Sequence, residues 1–117
     1  MEYRFRKIQK TILIQITGEI DHHTAQTLRE AADRVLDRVG GKHIIFDFAE
    51  VTFMDSSGIG MMIGRYKRVQ SIGGRVCIAC ANEKIREIVH LSGLERLLPT
   101  FSSMEEALQY TEGRGNR

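Results

Sequence analysis

Ile44-Ile45-Phe46-Asp47-Phe48, followed by Phe53-Met54-Asp55-Ser56-Ser57-Gly58-Ile59-Gly60, decides the fold of this chain. The first run is almost continuously apolar, the pattern of a strand buried on both faces. From the second run onward, apolar residues fall at Ile59, Met62, Ile63, Tyr66 and Val69, spacings that fit an amphipathic helix. A strand therefore hands over to a helix at Asp55-Ser56-Ser57. All three are residue types that cap helix N-termini. A hydroxyl placed there lies near unpaired backbone N–H groups, and the helix dipole makes the spot tolerant of negative charge. Two readings follow. Either the serines cap the helix and the glycines permit the turn, or one serine accepts a phosphoryl group. A phosphate would add up to about two negative charges beside Asp55. A surface fitted to a partner while neutral would then carry charge that the partner must desolvate or repel.

Upstream of the central strand, Ala25, Leu28, Ala32, Val35, Leu36 and Val39 form an apolar helical stripe. Asp21 or Thr24 caps that helix, and Gly40-Gly41 ends it. Before it, Tyr3 to Ile8 and Thr11 to Thr17 read as a hairpin turning near Gln9-Lys10, with Ile12, Ile14 and Ile16 on one face. Tyr3 to Ile8 is the weaker strand and suits a sheet edge. Gly18-Glu19-Ile20-Asp21 is expected to break the second strand.

Downstream, the serine helix is expected to stop near Gly73-Gly74. Gly60 and Gly64 each cost about 1 kcal/mol of helix stability relative to alanine. The expected return is close approach of this helix to the sheet or to a neighbouring helix. Met61 and Arg65 lie off the apolar stripe, so Met61 is either an exposed contact for a partner or partly buried under a loop. Arg75 to Ala81 reads as another buried strand. Asn82 caps a short helix with Ile85, Ile88 and Val89 inward, ended by Ser92-Gly93. Leu94, Leu97 and Leu98 add core, and Pro99-Thr100-Phe101 forms a short last strand. Ser103 and Glu106 are spaced as a capping box for a final helix with Ala107 and Leu108 inward.

This order predicts an α/β fold: a mixed sheet of four to five strands, with a parallel centre and an antiparallel edge, packed with about four helices. The domain spans 1–112, and 113–117 is expected to be a flexible tail. In open sheets of this kind, sites form beyond the carboxyl ends of strands. The serine turn and Asp21 both fall there, so Asp21 and Ser57 are expected to face one surface.

The remaining features exclude more than they assign. The 117 residues suit one domain, and a net charge of +2 with well-mixed signs gives no footprint for nucleic acid. No apolar run approaches the ~20 residues of a membrane span, and Met1 to Arg6 has no signal-peptide core. A cytoplasmic protein without membrane attachment is expected. Cys77 and Cys80 form a single C-x-x-C, whereas structural zinc wants four ligands. A redox pair is also disfavoured: residues three apart on a strand point to opposite faces, which leaves two reduced, mostly buried thiols. His22-His23 with Glu19 and Asp21 lacks a distant ligand to complete a metal set. A serine hydrolase needs Gly-x-Ser-x-Gly, but Asp55 stands two before Ser57, and His90 is the sole later histidine. Neither catalytic residues nor a cofactor is expected.

Gly18-Glu19-Ile20-Asp21-His22-His23-Thr24-Ala25 and the Phe53 to Gly60 stretch together resemble the paired signatures of bacterial anti-sigma factor antagonists, the STAS domains. Arg65-Tyr66-Lys67, Ile72-Gly73-Gly74 and Leu91-Ser92-Gly93-Leu94 extend the likeness over nearly the whole chain. Within that family, the pattern is nearest to the sporulation antagonists that act on the anti-sigma F factor. The resemblance implies that Ser57, the second serine of the pair, is the phosphoryl acceptor. Geometry does not choose it over Ser56, because neighbouring side chains on a helical turn point about 100° apart. It also implies a partner, an anti-sigma factor that is itself a serine kinase. The unphosphorylated protein binds it and releases the sigma factor, phosphorylation breaks the complex, and a serine phosphatase restores it. Asp21 matches the partner-contact aspartate. The expected partner surface is Asp21, Asp55, Ser56, Ser57, Gly58 and Met61, on a monomer. The alternative is a ligand-sensing or general-stress version of the same domain.

Overall fold

The computed structural model describes residues 1–113. The sheet grows from its edge inward. β1 (Glu2–Ile8) pairs antiparallel with β2 (Thr11–Ile20), with Ile8 opposite Thr11 across the Gln9-Lys10 turn. Gln9 takes φ 54°, so a non-glycine residue makes the left-handed step the tight turn requires. β3 (His43–Met54), β4 (Val76–Ala79) and β5 (Thr100–Phe101) then join in parallel, giving the order β1-β2-β3-β4-β5.

That monotone order decides where the helices go. Right-handed crossovers between successive neighbouring parallel strands all fall on one face of a sheet. α1 (His22–Val39), α2 (Ser56–Gln70) and α3 (Glu83–Ser92) are those crossovers. They share one core with the inward residues of the strands, including Ile14, Phe46, Phe48 and Ile78. α4 (Met104–Glu112) follows β5 and covers the opposite face, where Ala107 packs with Ile45, Cys77 and Ala79. β3 and β4 are therefore covered on both sides, which accounts for the uninterrupted apolar run at Ile44 to Phe46. The expected mixed α/β sheet is found, with the expected antiparallel edge.

Several local expectations are corrected. β2 does not stop at Gly18. It continues to Ile20 because β3 runs on to Met54 and supplies ladder partners, while Gly18 absorbs a bulge at φ 102°. Val39 and Leu97 are 39% and 38% exposed rather than in the core. Val39 is the last residue of α1, and Leu97 leaves a short 3-10 turn between the inward Leu94 and Leu98. At α4, Ser103 Oγ accepts from Glu106 N–H, but the Glu106 carboxylate accepts from Ser102 Oγ instead of reaching back to Ser103, so the box is half formed. Cys80 lies beyond the end of β4 at φ 65°, so it packs beside Cys77 against the same cluster instead of pointing away. Both thiols are free, and burial pushes that of Cys77 up to about 12. Gly113 is the left-handed cap of α4, and the rest of the expected tail, 114–117, lies outside the described residues.

His43 gives the fold a pH dependence. It begins β3 nearly buried, and its Nδ1 accepts the Arg75 backbone N–H at 2.9 Å. Only the neutral Nε2–H tautomer can accept there. Burial holds the imidazole below its usual range, against the opposing pull of Glu112. The unfolded chain therefore binds the proton first as pH falls. The contribution of His43 to stability is expected to be full above the unfolded value near 6.5 and to fall as pH drops below it toward the depressed folded value. Urea midpoints measured from pH 7.5 to 5 are expected to decline, and His43→Gln is expected to flatten that part of the slope.

Candidate functional site

Two helix N-termini open side by side at the carboxyl edge of the sheet. β2 and β3 are parallel neighbours with Ile20 opposite Met54, so the residues that follow, Asp21 and Asp55, emerge together. The Asp55 N–H donates to the Ile20 carbonyl at 3.2 Å. Both aspartates are N-caps with nearly the same backbone, φ −106° and ψ −170° at Asp21 and φ −106° and ψ −171° at Asp55.

Asp21 forms the complete capping box. Its Oδ1 accepts from Thr24 N–H at 2.9 Å, and Thr24 Oγ1 accepts from Asp21 N–H at 2.8 Å. The Thr24 backbone N–H, with its hydroxyl, holds the Asp21 carboxyl below the usual carboxylate range. At the second helix, Asp55 Oδ1 accepts from Ser57 N–H at 2.8 Å. The cap is therefore Asp55, and the serines occupy the first turn. Among the described residues, neither serine hydroxyl is held in a hydrogen bond. Ser56 is exposed and Ser57 half-buried.

Gly58 and Met61 prove to be buried. Gly58 faces inward, and a Cβ there would stand 2.5 Å from Met54 Cγ and 3.1 Å from Ile20 Cγ2. It sets how closely α2 approaches the strand ends. Met61 is 4% exposed, which corrects the expectation that it lies off the buried stripe. α2 buries two flanks, one on the sheet and one on α1, so its apolar face is wider than the 3.6-residue stripe. Arg65 shares that second flank at 7% exposed, with Nε 3.1 Å from Asp33 Oδ1 on α1. Arg68 joins the same carboxylate at 3.3 Å and reaches Asp37 at 2.5 Å.

Gly60 and Gly64 correct another expectation. A Cβ at either meets no atom of the described residues within 4 Å. They do not bring helices together. They floor a groove of about 410 Å3 between α1 and α2, which Ser57, His22, Gln26 and Arg29 also line. Neither the groove nor the Arg65–Asp33 pair was read from the sequence. The available signal was the Ser57, Gly60, Gly64 spacing, which places small residues along one helical stripe.

His22 and His23 are exposed, and no group of three or more metal-ligating side chains occurs among the described residues. His90 is engaged with Glu95 at 2.5 Å. No helix among the described residues is long and apolar enough to cross a membrane.

Residues 2–107 match the STAS domain family. The chain belongs to that family. An anti-sigma F factor antagonist from Paenibacillus polymyxa is 32% identical over 101 residues, covering 86% of each chain. The structure of the anti-sigma factor antagonist SpoIIAA in its unphosphorylated form superposes with a TM-score of 0.83 at 26% identity, covering 96% of this chain and 97% of that one. The Bacillus SpoIIAA structure in the phosphorylated form superposes with a TM-score of 0.72 at 26% identity, covering 93% and 98%. These STAS relatives are regulators named for a binding partner, not for a reaction. In this STAS domain the two signature turns, far apart in sequence, meet at one edge of the sheet.

Proposed function

We propose that this STAS domain is an anti-sigma factor antagonist whose binding is switched off by phosphorylation of Ser57. The unphosphorylated surface around Asp21 and Ser57 engages the anti-sigma factor, which is also the serine kinase, and the sigma factor is released. A serine phosphatase resets the switch. The nearness to an anti-sigma F antagonist supports a role in sporulation transcription. The observation that carries the reading is the division of labour at α2. Asp55 performs the capping, which leaves the Ser57 hydroxyl unengaged at a helix N-terminus beside the Asp21 turn. A phosphate there meets backbone N–H groups and the positive end of the helix dipole, so the fold need not rearrange to hold it.

The test uses Ser57→Ala as bait in a lysate of the source organism. The retained anti-sigma factor is then incubated with ATP and the native protein. Mass spectrometry is expected to find one phosphate, on Ser57, and none on Ser57→Ala. A phosphate on Ser56, or none at all, would refute the assignment.

Asp21→Asn separates contact from capping. Asparagine caps helices about as well as aspartate, so stability should change by less than about 0.5 kcal/mol. Loss of the carboxylate is expected to weaken anti-sigma binding about tenfold in calorimetric titration. Equal affinity would remove Asp21 from the contact surface.

A further inference from the structure

The groove between α1 and α2 has a floor cleared of side chains and a cation under it. Gly60 and Gly64 both weaken the helix relative to alanine, and no packing among the described residues returns that loss. The Arg65 side chain, 9% exposed, lines the groove. Its Nε lies near Asp33 without an aligned hydrogen bond, and its Nη1 is buried with no hydrogen-bond partner among the described residues. Buried donors of this kind are rare because the lost hydration is not replaced. Asp33 is already shared with Arg68. Arg29 is the other charged group among the described lining residues, which include no carboxylate.

We propose that this groove receives a segment of the anti-sigma partner bearing a carboxylate side chain, which passes over Gly60 and Gly64 to pair with Arg65 and Arg29. This rests on the reading of the protein as an antagonist. Glycine lets a partner's backbone approach closely. A guanidinium binds a carboxylate through charge-assisted, geometrically matched hydrogen bonds. Ser57 lines the same groove. A phosphate on it places like charge at the mouth through which the carboxylate enters. The groove thus supplies the element that the switch acts on.

The test is calorimetric titration of the anti-sigma factor recovered with Ser57→Ala, using unphosphorylated variants. Gly64→Gln fills the groove, and Arg29→Glu inverts an exposed charge on its wall. Each is expected to weaken binding about tenfold or more, with Arg29→Lys within about threefold of native. Gly64→Ala is expected to raise Tm by about 3 °C while weakening binding about threefold, a combination that a purely structural glycine would not give. If Gly64→Gln and Arg29→Glu bind as tightly as native while Ser57→Asp still fails to bind, the groove proposal falls and the antagonist reading stands. If Ser57→Asp binds like native, the reading beneath both falls. Saturation of the Arg65 Nε–H resonance by millimolar inorganic phosphate, without competition against the anti-sigma factor, would make this a small-anion site and overturn the proposal.

Discussion

Ser57→Asp is expected to weaken anti-sigma binding about 100-fold or more if Ser57 is the proposed switch, and phosphorylation is expected to weaken it further, the largest functional effect of any substitution in this domain. The size follows from where the charge appears. Ser57 is half-buried at the start of α2, next to the Asp55 carboxylate that holds its backbone N–H. A carboxylate or phosphate added there must be desolvated against the partner or must hold the partner off. Unpaired charge at a contact costs several kcal/mol, and about 1.4 kcal/mol is a factor of ten. The phosphate, with about −1.5 to −2 charge, exceeds the single charge of Asp. The change is expected to stay local. Amide shifts between the two forms should be confined to the first turn of α2 and to the Asp21–Thr24 turn that abuts it. Shifts spread across β3 and β4 would mean that the partner reads a refolded surface and not a charged one. Isothermal titration against the anti-sigma factor checks the affinity, and unchanged affinity for Ser57→Asp would remove Ser57 from the mechanism.

The parts of this site that were legible in the sequence are those set by local chemistry. Asp21 and Asp55 each precede an apolar stripe of helical period, and both prove to be caps. The alternation of Ile12, Ile14 and Ile16 fixed the inward face of β2, and Gly40 ended α1 in the left-handed conformation that a helix C-terminus favours. The misread parts depend on contacts between elements distant in sequence. β2 continues through Gly18 only because β3 supplies partners for Glu19 and Ile20. Arg65 is buried because Asp33, more than thirty residues away, is brought to it by the packing of α1 on α2. Asp55 and the two serines were equally good caps on residue type, and only the geometry shows which oxygen accepts the N–H. The same holds for the glycines, whose neighbours come from other elements.

Those glycines provide the largest expected effect on stability, and its sign reverses along the chain. Gly74→Ala is expected to cost more than about 3 kcal/mol. Its Cβ would stand 1.8 Å from the Lys42 carbonyl oxygen and 2.5 Å from Val69 Cγ1. The Lys42 carbonyl cannot retreat. The Lys42 and His43 N–H groups both donate to the Lys10 carbonyl, at 2.8 and 3.0 Å, and the Ile44 N–H donates to the Arg75 carbonyl at 3.0 Å. Relief would have to break the start of β3. Gly58→Ala is expected to cost less, about 1–3 kcal/mol, because the atoms it meets first belong to the flexible side chain of Met54. Gly64→Ala has no atom to meet and is expected to gain about 0.4–1 kcal/mol from the less mobile unfolded chain and the better helix former. Urea unfolding should therefore rank the midpoints Gly74→Ala, Gly58→Ala, native, Gly64→Ala, from lowest to highest, at a common slope. A destabilised Gly64→Ala would mean that the space above Gly64 is filled by the domain itself, and that the clearance on α2 serves packing and not a partner.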